Sequence, residues 1–223
     1  MTLPERSSLW PVRVVGDPRW AGLTLRRGDQ RSLRLPINAL WNLRNDARVA
    51  DWLYRLVRQF RPRRAVETGV YFGKSTVAIL AALRRNGVGR LISIDLPESP
   101  EEAPSRTPKR IGKLVPASLR DRWELRLGDA KELLPAALSG GVDFFLHDSD
   151  HTYAHMTFEY ETAWNALPVG GVLASDDTQW STAWDEFLLR HQGTYHVLPD
   201  GPYHILPDGP GSHRAIRRTG VGP

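Results

Sequence analysis

The sequence predicts an α/β fold: a Rossmann-like, doubly wound sheet of seven strands, mostly parallel, with an antiparallel last strand. Three observations predict it. Residues 63–95 contain a short apolar strand, a glycine-rich turn, an apolar helix and a second strand, which together form a βαβ unit. Further apolar segments, at 142–146 and 172–174, alternate with stretches of helical length. The 223 residues, 41% of them apolar, suffice to bury such a core.

Residues 1–45 differ from the rest of the chain and predict an N-terminal arm or lid, with the main domain spanning 46–223. The arm is rich in Pro, Gly, Arg and Trp, and short alternations at 23–25 and 33–35 favour small strands. The arm either packs against the sheet or a neighbouring subunit, or it covers the substrate. Packing against a neighbouring subunit would make the protein a homo-oligomer. Apolar residues recurring at helical spacing predict a helix from Asp46, which Pro62 ends.

Composition excludes several classes of protein. The chain has no cysteine, so disulfide frameworks, thiolate metal sites and cysteine nucleophiles are excluded. No apolar run is long enough for a membrane span and no signal-peptide pattern opens the chain, so we expect a cytoplasmic protein. The net charge of +5 is uneven, because residues 1–64 hold 14 arginines against five acids. A basic arm suits nucleic acid, but no aromatic residues interleave a basic cluster, so nucleic acid is not the expected partner.

The glycine turn at 68–73 predicts a nucleoside site of a particular kind. It lacks the G-x-G-x-x-G of a dinucleotide-binding turn, and it is one residue too short for a Walker A loop. The acid Glu67 before the turn repels phosphate but suits a cationic or hydroxyl-bearing ligand. Asp95 ends the second strand, 26 residues after Gly69, where an acid accepts hydrogen bonds from ribose hydroxyls.

This stretch resembles motif I and the following acidic strand end of class I S-adenosylmethionine-dependent methyltransferases. The resemblance implies S-adenosylmethionine as cofactor. It also implies that a set of residues at the strand ends and the turn binds it: Glu67, Gly69, Tyr71, Gly73, Ser75, Asp95, Asp129 and Asp148. Asp129, in Gly128-Asp129-Ala130, is the candidate adenine contact. The same residue type at the start of a helix also predicts an N-cap, and both roles stay open.

The remaining elements follow from apolar runs and turn residues. After Asp95, a loop precedes a weakly amphipathic helix near 107–119. Then come strand 123–127, helix 131–138, strand 142–146, helix 154–167, strand 172–174 and helix 181–190. The tail repeats YHVLPDGP (195–202) as YHILPDGP (203–210): the first copy predicts strand six, the second a loop or hairpin extension, and 212–218 the last strand. Histidines in and beside this tail lack metal-ligand spacing and are interpreted as structural: His191, His196, His204 and His213.

Acidic residues follow two predicted strands. Asp148 follows the fourth strand, and Asp176 and Asp177 follow the fifth. Because the carboxyl ends of parallel strands converge at one edge of a sheet, we expect these acids to meet. Crowded carboxylates repel one another unless a cation binds them, and Mg²⁺ prefers such oxygen ligands. The sequence therefore predicts Asp148, Asp176 and Asp177 as Mg²⁺ ligands.

The segment 146–153, followed 28 residues after Asp148 by Asp176-Asp177, resembles the metal-dependent O-methyltransferases that act on catechols, phenylpropanoids and antibiotic sugars. The resemblance covers about residues 60–190. It implies that a metal binds a hydroxyl of a small-molecule acceptor, such as a natural-product sugar or phenol, and that a base removes its proton. His151 is the first candidate base and Asp148 the second, although His151 also fits a purely structural role.

Two other function classes stay open. A metal-independent methyltransferase would keep Glu67, Gly69 and Asp95 and use Asp176 and Asp177 structurally. An RNA-binding or RNA-modifying protein would use the arginine-rich arm, and strongly salt-dependent retention of RNA would favour it. Proteins that resemble cephalosporin hydroxylases also pair a Glu-Thr-Gly turn with an Asp-Ser-Asp-His segment, so the family resemblance alone does not decide the activity.

Overall fold

A computed structural model describes residues 37–97, 111–201, 204–206 and 209–220, with side chains described from residue 47 onward except within 202–211. The predictions for residues 1–36, including the two short strands of the arm, lie outside the described residues. The boundary between arm and domain at residue 45 therefore stays a prediction.

The described chain folds around a seven-stranded sheet in the order β3-β2-β1-β4-β5-β9-β6. Five parallel strands form most of it: β1 (Arg64–Thr68), β2 (Arg90–Asp95), β3 (Trp123–Leu127), β4 (Phe144–His147) and β5 (Val172–Ser175). The last strand, β9 (Arg214–Arg218), runs antiparallel to both of its neighbours, β5 and β6 (Tyr195–Val197). The predicted fold class, including the antiparallel last strand, is confirmed.

Helices cover both faces of the sheet and create two apolar cores. On one face pack α1 (Ile37–Phe60) and α2 (Lys74–Asn86); on the other pack α3 (Ala130–Leu138), α4 (Tyr153–Ala166) and α5 (Ala183–Arg190). Successive side chains along a strand point to opposite faces of the sheet, so each strand contributes to both cores. Val66 and Phe145 pack with the second group of helices, and Ala65 and Phe144 pack with the first. α1 begins nine residues before the predicted start at Asp46.

The helix expected at 107–119 is wrong over the described residues 111–119. Residues 111–114 form turns instead, and a short 3₁₀ helix spans Ala117–Arg122. Gly112 has φ +67°, and a Cβ there would lie 2.2 Å from the Trp123 ring, so the backbone leaves the helical region at that point. Pro116, which has no N–H to donate, precedes the 3₁₀ helix.

The duplicated tail forms a small hairpin, as one of the two open predictions had it. β7 (His204–Leu206) pairs antiparallel with β8 (Gly209–Gly211), separate from the main sheet. Among the helices that the structure describes, none is long and apolar enough to cross a membrane.

The register of the central strands brings the candidate site together. Thr68 at the end of β1 pairs with His147 of β4, and His147 pairs with Ser175 of β5. Asp148 and Asp176 are the next residues along the chain, so they leave the sheet side by side. Ser175 also pairs with Arg214, the first residue of β9. Because this pairing is antiparallel, His213, which precedes Arg214, lies beside Asp176, which follows Ser175.

Candidate functional site

The glycine turn after β1 is held tightly against the end of β4. Gly69 has φ +80°, and a Cβ on it would lie 1.7 Å from the carbonyl oxygen of Asp148. Its N–H donates to the carbonyl of Ile94 in β2 (2.9 Å). The backbone that follows β4 therefore leaves no room for a side chain at Gly69.

Asp95 fixes the other side of the turn. Its Oδ2 accepts hydrogen bonds from the backbone N–H groups of Val70 (2.9 Å) and Tyr71 (2.8 Å). The backbone of Tyr71 is left-handed (φ 47°), and its ring is exposed beside that of Phe72. Among the described residues, both hydrogen bonds to the Asp95 carboxylate are accepted by Oδ2, and Oδ1 accepts none.

Glu67 lies beneath the turn rather than in a cavity. The side chain is fully buried, and its Oε1 accepts from Thr76 Oγ1 (2.5 Å) and Ser93 Oγ (2.7 Å). Oε2 has no hydrogen-bond partner among the described residues. Burial raises the pKa of Glu67 to about 7, although hydrogen bonds from Thr76, Ser93 and Ser75 oppose the shift. Glu67 thus ties β1 to β2 and α2 below the site.

A cavity of about 230 Å³ opens beside the glycine turn and the strand ends. Four predicted site residues line it: Tyr71, Ser75, Asp148 and Asp176. The other described lining residues are Val49, Ala50, Val70, Phe72, Lys74 and His213. The remaining predicted residues do not line this cavity in the part of the chain described: Glu67, Gly69, Gly73, Asp95, Asp129, His151 and Asp177. A wider depression of about 360 Å³ lies against α5, away from all predicted site residues.

Two carboxyl groups and one imidazole meet in the cavity. Asp148 and Asp176 share a hydrogen bond, and His213 Nε2 lies 2.6 Å from Asp176 Oδ1. Burial, together with the charge of Asp176, raises the pKa of Asp148 well above its usual value. Burial would also raise the pKa of Asp176, but the hydrogen bonds and charge of its partners, His213 first, lower it to about 2. Of the two carboxyl groups, Asp148 is therefore the one that binds a proton more readily, and a proton on it can form the hydrogen bond to Asp176.

This arrangement does not fit a divalent cation. Asp176 Oδ1 already accepts from His213 Nε2 and from the backbone N–H of Asp177 (2.8 Å). Asp177 has φ +48°, and its Oδ1 accepts instead from the side chain of Gln179 (3.1 Å). In the described ranges, no group of three or more His, Asp or Glu side chains, including Asp148, Asp176 and His213, is arranged so that it could hold a metal ion. The predicted ligands Asp148 and Asp176 are brought together, while the carboxylate of Asp177 is held by a different neighbour.

The first candidate base, His151, is not among the residues that line the cavity. Its ring is 5.3 Å from the ring of His147 and 6.1 Å from that of Trp180, measured between centroids. Burial, and next the proximity of His147, lower its pKa below the usual histidine value, so the imidazole is neutral at pH 7. Its Nε2 is buried with no hydrogen-bond partner among the described residues. His151 has the protonation state of a base, but Asp148 has the position of one.

Sequence reasoning missed a buried polar network around Glu159 of α4. The Glu159 carboxylate accepts four hydrogen bonds, from Thr68 Oγ1 (2.5 Å), His147 Nδ1 (2.6 Å), His155 Nε2 (2.8 Å) and Ser149 Oγ (2.9 Å). These bonds lower its pKa to about 2 against the opposing effect of burial. The network fixes the loop that follows β4. A signal was present, because Glu159 lies on the same helical stripe as the apolar Met156, Tyr160 and Ala163.

Asp129 caps α3, as one of its two predicted roles required. Its side chain accepts a hydrogen bond from the backbone N–H of Lys131 (2.8 Å), and Gly128 N–H donates to the carbonyl of Asp95 (2.9 Å). The cap therefore lies next to the end of β2. The adenine contact stays a prediction.

A sequence profile described as a methyltransferase domain matches residues 66–178, just over half of the chain. The chain belongs to this methyltransferase family. The match spans the glycine turn, Asp95, Asp148 and both acids after β5, so it includes every predicted site residue. The prediction of a class I methyltransferase is confirmed. No curated protein sequence matches this methyltransferase.

Solved structures share its fold at low sequence identity. The O-methyltransferase TomG from Streptomyces achromogenes, involved in tomaymycin synthesis and solved with SAM, is 20% identical over 77% of this chain and 79% of TomG, with a TM-score of 0.60. The O-methyltransferase from Bacillus cereus, in complex with SAH, is 17% identical over 90% and 96% of the two chains (TM-score 0.56). The SAH-bound Podospora anserina methyltransferase PaMTH1 is 18% identical over 77% and 78% (TM-score 0.53). At these identities the likeness shows the fold.

Proposed function

We propose that this methyltransferase transfers the methyl group of S-adenosylmethionine to a hydroxyl group of a small molecule. The observation that carries the proposal is a cavity between the glycine turn and the ends of β4 and β5, with Asp148 and Asp176 in its wall. A cofactor at the turn and an acceptor at the acids would then be neighbours. The structural neighbours TomG and the Bacillus cereus protein, both O-methyltransferases, support oxygen as the acceptor atom.

The residues present fit S-adenosylmethionine. Asp95 Oδ1 is available to the ribose hydroxyls, because Oδ2 is the atom engaged by the turn. Lys74 and Ser75 bring the N-terminus of α2 into the cavity wall, and the positive end of a helix dipole suits the cofactor's carboxylate. We assign the remaining contacts to Tyr71 and Asp129, with Glu67, Gly69 and Gly73 shaping the turn.

When bound, the cofactor supplies a methyl group on a sulfonium that leaves as a neutral thioether. The acceptor oxygen forms a bond to the methyl carbon while the bond between that carbon and sulfur breaks. The electron pair of the broken bond stays on sulfur. The hydroxyl proton goes to a protein base. We assign that role to His151, whose imidazole is neutral at pH 7, with Asp148, which lines the cavity, as the second candidate.

Mg²⁺ was the finer part of the sequence hypothesis, and the described donor set does not support it. Oδ1 of Asp176, which a cation would bind, already contacts His213 Nε2, and Oδ1 of Asp177 accepts a hydrogen bond from the side chain of Gln179. We therefore route no step through a metal. The metal-independent methyltransferase, the alternative of the same fold, is the candidate that the contact between His213 and Asp176 favours.

The test combines binding with turnover. Calorimetric titration with S-adenosylhomocysteine should give saturable binding to the wild-type chain. Methyl-labelled S-adenosylmethionine should label members of a panel of phenols and sugars, and the labelled product should be stable to base, as an ether is and an ester is not. No binding of S-adenosylhomocysteine would refute the proposal. Base-labile or nitrogen-linked products would replace the hydroxyl acceptor with another.

The partner that we propose is thus a small molecule, in the cytoplasm, and not nucleic acid. Residues 1–36 of the arginine-rich arm, which carries the RNA-binding alternative, lie outside the described residues. RNA retention that falls steeply with salt, together with methyl transfer to RNA, would favour that alternative.

A further inference from the structure

His213 forms the most unexpected contact of the cavity. It immediately precedes β9, and its imidazole is 2% exposed, with Nε2 2.6 Å from Oδ1 of Asp176. The antiparallel pairing of Ser175 with Arg214 creates this contact, since it places the residue after β5 beside the residue before β9. A side chain from residue 213 therefore reaches the acids at the ends of the parallel strands.

The surroundings of His213 hold it in this position. Its carbonyl accepts a hydrogen bond from Gly201 N–H (2.8 Å), and its ring meets Trp52 of α1 edge-on at 5.9 Å. A Cβ on Gly201 would lie 2.5 Å from the Cβ of His213, so the backbone packs closely there. The histidine is thus fixed by elements from both ends of the domain, and it cannot swing away without disturbing them.

This contact occupies Oδ1 of Asp176, an oxygen that a cation at these acids would bind. Asp176 Oδ1 accepts from His213 and from Asp177 N–H, and Asp176 also shares a hydrogen bond with Asp148. A hard cation such as Mg²⁺ is held by one or two carboxylates whose free lone pairs are directed at it, together with several waters. The described carboxylates are directed at His213, at each other and at Gln179.

We propose that His213 takes the place of a divalent cation in this methyltransferase, as a positioning residue that holds Asp176 and, through it, Asp148. The inference rests on the proposed function and adds a substrate class to it. A metal ion binds vicinal oxygens as a chelate, whereas carboxylates held by a histidine bind a single hydroxyl through its O–H. The acceptor therefore needs one hydroxyl and no adjacent second oxygen.

The experiment measures cation binding directly, so that it does not depend on knowing the acceptor. Wild type, His213→Ala and His213→Gln are titrated with MgCl₂ in the calorimeter, each saturated with S-adenosylhomocysteine. The wild type should show no saturable Mg²⁺ binding. His213→Ala removes the contact of His213 with Asp176 Oδ1 and should show saturable Mg²⁺ binding where the wild type shows none. His213→Gln, whose amide N–H can replace Nε2–H, should behave as wild type.

His196→Ala is the matched control, because His196 is an exposed histidine of the same tail. It should leave Mg²⁺ and S-adenosylhomocysteine titrations unchanged. Saturable Mg²⁺ binding by wild type that disappears in Asp176→Asn would overturn the inference, and this result is available even if His213→Ala fails to fold. A folded His213→Ala without Mg²⁺ binding would overturn it as well. Failure of S-adenosylhomocysteine to bind would instead count against the proposed function.

Discussion

Replacing Glu159 with glutamine tests the buried network that fixes the loop after β4. The carboxylate is fully buried and accepts four hydrogen bonds, which lower its pKa from 4.5 to about 2. A shift of that size corresponds to about 3 kcal/mol of unfolding free energy at pH 7. Glutamine keeps the shape but loses the charge, so Glu159→Gln should lower the free energy of unfolding by about 3 kcal/mol.

The sign of the pH dependence follows from the direction of the shift. Because the pKa of Glu159 is lower in the folded chain, its contribution is complete above pH 4.5 and is lost as the pH falls from 4.5 towards 2. At pH 3 about 1.5 kcal/mol remains. The difference between wild type and Glu159→Gln should therefore shrink by about half between pH 7 and pH 3.

Urea denaturation followed by tryptophan fluorescence measures both differences. The matched control is Glu161→Gln, two residues further along α4, where the side chain is 33% exposed and contacts Arg190 and His191. An ion pair at such exposure is worth under about 1 kcal/mol. A loss for Glu159→Gln that is equal at pH 7 and pH 3, or no larger than the control, would show that ionised Glu159 does not stabilise the fold.

Three further variants test the turn and the base. Asp95→Ala should weaken S-adenosylhomocysteine binding by about 2 kcal/mol in calorimetry, as expected for a charged hydrogen-bond acceptor, and unchanged affinity would contradict the ribose assignment. Gly69→Ala should lower the melting temperature far more than Gly87→Ala, because both glycines have positive φ but only Gly69 meets backbone atoms; equal losses would rule out the close approach to Asp148. His151→Ala should lower turnover by about 10² to 10⁴ if His151 is the base, while binding of S-adenosylhomocysteine stays constant. A wild-type rate and pH profile would leave Asp148 as the base.

The sequence predicted the parts of the site that depend on parallel strands. Asp148 and Asp176 converge because each directly follows a buried parallel strand, and such strand ends always share one edge of the sheet. Asp95 was predictable for the same reason. These inferences need no side-chain detail, since topology alone brings the residues together.

His213 was not predictable in this way, because its place depends on the register of an antiparallel strand. A shift of β9 by one residue would move His213 away from Asp176, and apolar alternation over five residues does not fix such a register from sequence. The orientation of Asp177 was also hidden, since its left-handed backbone turns the carboxylate towards Gln179. Rules about strand ends place Cα atoms near one another, but they do not say which lone pairs remain free.

From the position of β9 we expect the two halves of the site to form at different times during folding. β9 inserts between β5 and β6, and until it does, the edge of β5 has unpaired backbone groups and Asp176 lacks the imidazole of His213. The glycine turn and Asp95 belong to residues 64–95, and the close contact of the turn is with the end of β4. Recovery of cofactor binding during refolding should then precede maturation of the acceptor side of the cavity, so the two halves of one site acquire their native form at different times.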